Sequence, residues 1–135
     1  MKKMLAVLLS LVFIALGFYI FKSNKTNAPK SNQPKFFTKE EILPSDAVVK
    51  ITSSGFEPKE VNVKKSSRVV WLNQTNNFSW PASDPHPIHN GYPGFDSLEP
   101  FKRGEAWAFE FDKVGLWGYH DHLNPAHRAK IIVTE

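Results

Sequence analysis

The chain of 135 residues contains no cysteine. Disulfides, thiolate metal sites and cysteine nucleophiles are excluded at once. The folded part also lacks an excess of positive charge. Residues 22–45 carry five Lys against two Glu, whereas residues 46–135 carry ten Lys or Arg against eleven Asp or Glu. The basic excess therefore sits at the N-terminus and beside it, and no basic face is left for nucleic acid. A basic tether reads more simply as attraction to anionic lipid. No Gly-x-Ser-x-Gly elbow surrounds Ser79 or Ser83, so serine-hydrolase chemistry is not supported, although Asp84 and His86 lie near by. No catalytic residue is assigned. Internal repeats are absent too.

What is present suits one β domain. Hydrophobic residues make up 41%, with 11 Phe, 10 Pro and 7 Gly. That fills one core and favours short strands joined by many turns.

Residues 4–21 are nearly continuous apolar sequence behind Lys2 and Lys3. The run exceeds a signal-peptide core and approaches the length that spans a bilayer. Ile20, Phe21, Lys22 and Ser23 offer no small-x-small cleavage site. Residues 1–21 therefore read as an uncleaved signal anchor, a transmembrane helix. Lys22, Lys25, Lys30 and Lys35 outnumber the lysines before the run, which by charge alone favours the opposite orientation. Short N-terminal segments of this layout usually export the chain behind them, so the domain is expected outside the cytoplasm, in a periplasm or at the cell surface. Residues 22–45 read as a flexible polar linker, with Phe36 and Phe37 as a pair able to dock on the domain.

From residue 46 the texture changes. Residues 47–52, 61–64, 68–73, 106–111, 116–120 and 128–134 are strand candidates, several alternating apolar and polar positions. Residues 54–58 read as a turn. Residues 74–100 form a long loop rich in Pro, Asn, Asp and His, and a loop of that length inside a small domain is usually functional. With no amphipathic helix between the strands, the pattern predicts an all-β antiparallel sandwich. Trp71, Phe109, Phe111 and Trp117 are its expected core; Trp80 and Tyr92 are expected to cover one end.

Taken in order, Gly55, Phe56, Glu57 and Pro58, then Val69, Val70, Trp71, Leu72 and Asn73, then Gly115 to Tyr119 and the last strand resemble a cupredoxin over residues 47–134. The resemblance implies a Greek-key sandwich with copper bound between two loops at one end. It implies a first copper histidine behind a proline, matched by His86 after Pro85, and an axial ligand at the place of His127. The thiolate of a blue-copper site belongs at His120 or Asp121, and none is possible there. A second, narrower resemblance joins Tyr119, His120, Asp121 and His122 to the Tyr-His-x-His segment of multicopper oxidase domains.

All five histidines lie within residues 86–127. On an extended strand His120 and His122 point to one side, about 7 Å apart. One ion with bonds of about 2 Å can take both imidazoles. His86 and His89 converge if Pro85 and Pro87 hold a turn. The expected metal set is His86, His89, His120, His122 and His127, suited to Cu(II) first and zinc second. Asp84 and Asp121 are candidates to orient these rings or add oxygen ligands. Asn124 and Pro125 read as a loop-shaping turn.

The leading expectation is a membrane-anchored, extracytoplasmic copper protein with a non-blue histidine site, serving copper handling or redox work with a redox or copper-delivery protein partner, and not clearly an enzyme. One alternative is a metal-free, partner-binding module on the same scaffold. Another is an oxidase or reductase subunit that completes a copper site across an interface.

Overall fold

The computed structural model describes residues 36–135. The signal anchor and the first part of the linker lie outside the described residues. Among the described residues no helix is long and apolar enough to cross a membrane.

Two sheets face each other, as the strand pattern predicts. The first holds, in spatial order, β1 (Phe37–Thr38), β7 (Glu105–Phe111), β5 (Ser67–Asn73), β2 (Ala47–Thr52) and β3 (Gly55–Glu57). The second holds β4 (Glu60–Lys64), β9 (Asn124–Thr134), β8 (Gly115–Asp121) and β6 (Pro81–Ser83). A short 3-10 turn spans Lys39–Glu41.

The sandwich is mixed, not purely antiparallel. β2 pairs in parallel with β5, Val49 beside Trp71, and β4 pairs in parallel with β9, Val61 beside Ile131. The chain leaves the first sheet after β3, adds β4 to the second, and returns as β5 alongside β2. Both parallel pairs include a strand reached by crossing between sheets, and local alternation carries no trace of that.

Alternation along β5 sorts side chains to two faces. Val69 and Trp71 point into the main core with Val49, Ile51, Phe56, Phe111, Tyr119, Ile131 and Val133. Val70 and Leu72 point the other way and are covered by Phe37, Ala106 and the half-buried Ile42. Phe37 thus belongs to a strand, and Phe36 packs on Phe101 with ring centroids 5.2 Å apart. The segment read as linker includes this strand and the 3-10 turn.

Three further local readings change. Residues 55–57 form β3, not only a turn, because Phe56 is buried against Tyr119 at 4.7 Å. The long loop contains β6, and its Tyr92 and Phe95 are buried in the core, as is Phe101 just beyond it. Finally, β9 starts at Asn124, so β8 and β9 meet in a tight hairpin where a loop was expected.

Candidate metal centre

On β8, Trp117 and Tyr119 face the core. His120 between Tyr119 and Asp121 therefore faces the outer side of its sheet. It is nonetheless fully buried, because the segment after β6 folds over it. Asp84 N–H donates to the Gly118 carbonyl at 3.0 Å, and Gly91 N–H donates back to the Asp84 carbonyl at 2.8 Å. A Cβ on Gly91 would stand 2.3 Å from that carbonyl oxygen, so only glycine closes the loop so tightly. Between these points the amides of Ile88 and His89 donate to the Pro85 carbonyl at 3.0 and 2.9 Å. The resulting turn sets His86 and His89 opposite His120 and His122.

One nitrogen from each of His86, His89, His120 and His122 falls within 4.8 Å of the others. With bonds of about 2 Å, donors on opposite sides of one ion lie about 4 Å apart. The shortest approaches are His86 Nδ1 to His120 Nε2 at 3.2 Å and His122 Nδ1 to His89 Nε2 at 3.0 Å. Neighbouring ring centroids are 4.8 to 5.1 Å apart, and the opposed pairs, His86 with His89 and His120 with His122, are 6.2 and 6.5 Å apart. The long diagonals describe a figure between a tetrahedron and a square.

Two carboxylates hold the rings. His120 Nδ1–H donates to Asp84 Oδ1 at 2.8 Å, and the Arg128 guanidinium donates to the same oxygen at 2.8 Å. His89 Nδ1–H donates to Asp96 Oδ2 at 2.7 Å. Asp96 Oδ1 accepts from Trp80 Nε1–H at 2.6 Å and from the Leu98 amide at 2.7 Å. Burial lowers the pKa of His120, with Asp84 opposing, and that of His122, where His89 and His86 add to the effect. Both rings are thus biased to the neutral form that binds metal.

His127 stands apart from the four. Its ring lies against Gly55, 3.3 Å from where a Cβ would be, and Asn124 Nδ2 approaches its Nε2 at 3.2 Å. It shares the inward parity of Ala129, Ile131 and Val133, whereas the cluster occupies the outer face. The two histidine segments meet as expected, the loop after β6 against the end of β8, with His120 on the outer side of the second sheet.

Asp121 turns inward as well. It accepts from Ser79 Oγ–H at 2.6 Å and from the amides of Trp80 and Leu123 at 3.1 and 3.0 Å. Its carboxylate therefore pins the hairpin and does not face the histidines. Trp80, expected as an end cover, packs its ring 4.6 Å from that of His122. Asp96 has no sequence signal of its own; only the turn residues around it mark the segment.

No protein-family model matches the chain. The chain is 27% identical to amicyanin of Paracoccus denitrificans, over 97% of this chain and 95% of that protein. Among solved structures, an oxidized amicyanin proline variant superposes with a TM-score of 0.64 at 22% identity, covering 75% of this chain and 93% of that one. A reduced Cu(I) amicyanin variant at pH 4 gives 0.62 at 23%, covering 78% and 95%. The two-sheet architecture, the strand sequence and this likeness together make the described domain cupredoxin-like, without the cysteine of a blue-copper site.

Proposed function

We propose that this protein holds one copper ion on His86, His89, His120 and His122, in a non-blue site, on an exported domain anchored to a membrane by residues 1–21. The observation that carries the reading is the convergence of four imidazole nitrogens, two of them backed by a carboxylate on the far side of the ring. An all-imidazole set suits Cu(II), and zinc is the next choice. The flattened arrangement of the rings favours Cu(II).

Bound copper would supply a one-electron couple or be carried as cargo. The protein's part is to present lone pairs, fix ring orientation and limit water. His120 is buried and His86 is exposed, so the cluster has one dry side and one open side. The open side offers a route for the metal and for a redox or copper-delivery protein. Four donors from one chain make an interface site unnecessary. Neither a thiolate nor a catalytic set supports an enzyme.

The test is a Cu(II) titration of the purified chain with electron paramagnetic resonance and a thermal melt. The expected result is stoichiometric binding, coupling to several nitrogens and a raised Tm, since saturation at about 100 times Kd adds about 2.7 kcal/mol. If neither Cu(II) nor Zn(II) binds better than micromolar and Tm does not move, the metal-free partner module replaces this reading.

A further inference from the structure

We infer that Asp96 is the positioning residue that commits His89 to the tautomer able to bind metal, and that Asp84, its apparent counterpart at His120, does not control its ring's proton in the same way. The inference rests on the metal-site reading above.

A neutral imidazole carries its proton on one nitrogen and its lone pair on the other. His89 Nδ1 faces Asp96 Oδ2 at 2.7 Å, and an ionised carboxylate only accepts. The proton is therefore on Nδ1, and Nε2 turns its lone pair towards His122 Nδ1, 3.0 Å away. His120 and Asp84 repeat the arrangement.

The difference lies in what else each carboxylate accepts. Asp96 divides its partners: Oδ2 serves His89, while Oδ1 serves Trp80 Nε1–H and the Leu98 amide. Both of the latter are donors and neither can accept. In Asp96→Asn the amide oxygen must therefore stay at Oδ1. The amide NH2 then faces His89 Nδ1, which answers with a lone pair. The ring's proton moves to Nε2 and points into the cluster.

Asp84 concentrates its partners. His120 Nδ1–H and Arg128 both donate to Oδ1. In Asp84→Asn the oxygen stays at Oδ1 for the same reason, and His120 keeps its proton on Nδ1. One isosteric substitution thus has opposite effects at two similar histidine–carboxylate pairs.

The experiment is long-range proton–nitrogen correlation NMR on the full chain, labelled at histidine and free of metal, with Cu(II) titrations beside it. Wild-type His89 and His120 should both show the Nδ1–H tautomer. Asp96→Asn should convert His89 to Nε2–H, and Asp84→Asn should leave His120 unchanged. Both variants lose a negative charge and some affinity. Asp96→Asn should lose the larger part, roughly 10- to 100-fold. An unmoved His89 proton in folded Asp96→Asn, or a moved His120 proton in Asp84→Asn, overturns the inference. Should Asp96→Asn fail to fold, wild-type His89 found as Nε2–H overturns it equally. The expected tautomers in a protein that takes up no Cu(II) would sink the metal reading and leave the proton assignment standing.

Discussion

Gly118 and Asp84 fit as a gap and the group that fills it: a Cβ on Gly118 would stand 2.7 Å from Asp84 Oδ2. The bare backbone of β8 is what lets the Asp84 side chain lie flat on the sheet and reach both His120 and Arg128. Gly118→Ala must push that carboxylate away. It should destabilise the protein by about 1–3 kcal/mol, as overpacking does, and weaken Cu(II) binding as well. Urea unfolding and a Cu(II) titration read the two effects. No change in either would mean that Asp84 orients nothing.

The outer-face cluster and His127 separate cleanly by substitution. His120→Ala with His122→Ala should abolish tight Cu(II) binding, because half of the converging nitrogens are gone. His127→Ala should leave the affinity and the paramagnetic spectrum as in the wild type. A lost or altered signal in His127→Ala would bring His127 into the site.

Acid should destabilise the metal-free protein. His120 and His122 both have pKa values below the ordinary 6.5 in the folded chain. The unfolded chain therefore binds more protons in that range, and stability rises with pH through it. The contribution is complete above about 6.5 and is lost as pH falls through the lowered folded values. Proton competition weakens metal binding in the same direction. Melting curves between pH 7.5 and pH 5 check this, and replacing His120 and His122 together by Gln should flatten the profile.

The Tyr119 hydroxyl and the Nε1–H of the neighbouring Trp71 are both buried, and neither makes a well-formed hydrogen bond among the described residues. Burial also raises the Tyr119 phenol pKa well above the ordinary value. Tyr119→Phe removes an unsatisfied group from a site already shaped for a ring, so stability should change by no more than about 1 kcal/mol, in either direction. Equilibrium unfolding measures it. A loss above about 2 kcal/mol would reveal a partner for the hydroxyl, either the Trp71 Nε1–H or a buried water.

Much of this molecule is legible in its sequence, and the exceptions share a cause. A strand that alternates, such as β4 with Val61 and Val63, can be read because burial of one face writes itself into every second residue, and β5 can be read from the apolar run Val69 to Leu72, which is buried on both faces. Four of the five histidines converge in space, as their spacing suggests. His127 does not join them because it lies in the stretch 125–127 that the register shift at His120 and Asp121 leaves unpaired, next to Asn124, which pairs with Asp121 although it resembles a loop residue. Asp96 stays hidden in the sequence because it reaches His89 from beyond Gly91, Pro93 and Gly94, held by Trp80 from the other side of β6. Tyr92, Phe95 and Phe101 are hidden as core residues because no periodicity links them; each enters the interior from an irregular segment.

The alternation along β8 has a consequence for how this sequence can change. Tyr119 and Asp121 build the interior and pin the hairpin, while His120 on β8 and His122 just past its end build the cluster. One strand is therefore read twice, in two frames offset by one residue. Deleting or inserting a single residue between Trp117 and Tyr119, ahead of the bulge at His120 and Asp121, would exchange the frames, driving imidazoles into the core and the phenol out to the cluster. Substitutions can tune either reading alone, but length cannot drift here, so this segment should tolerate exchange of residues far better than any change in their number.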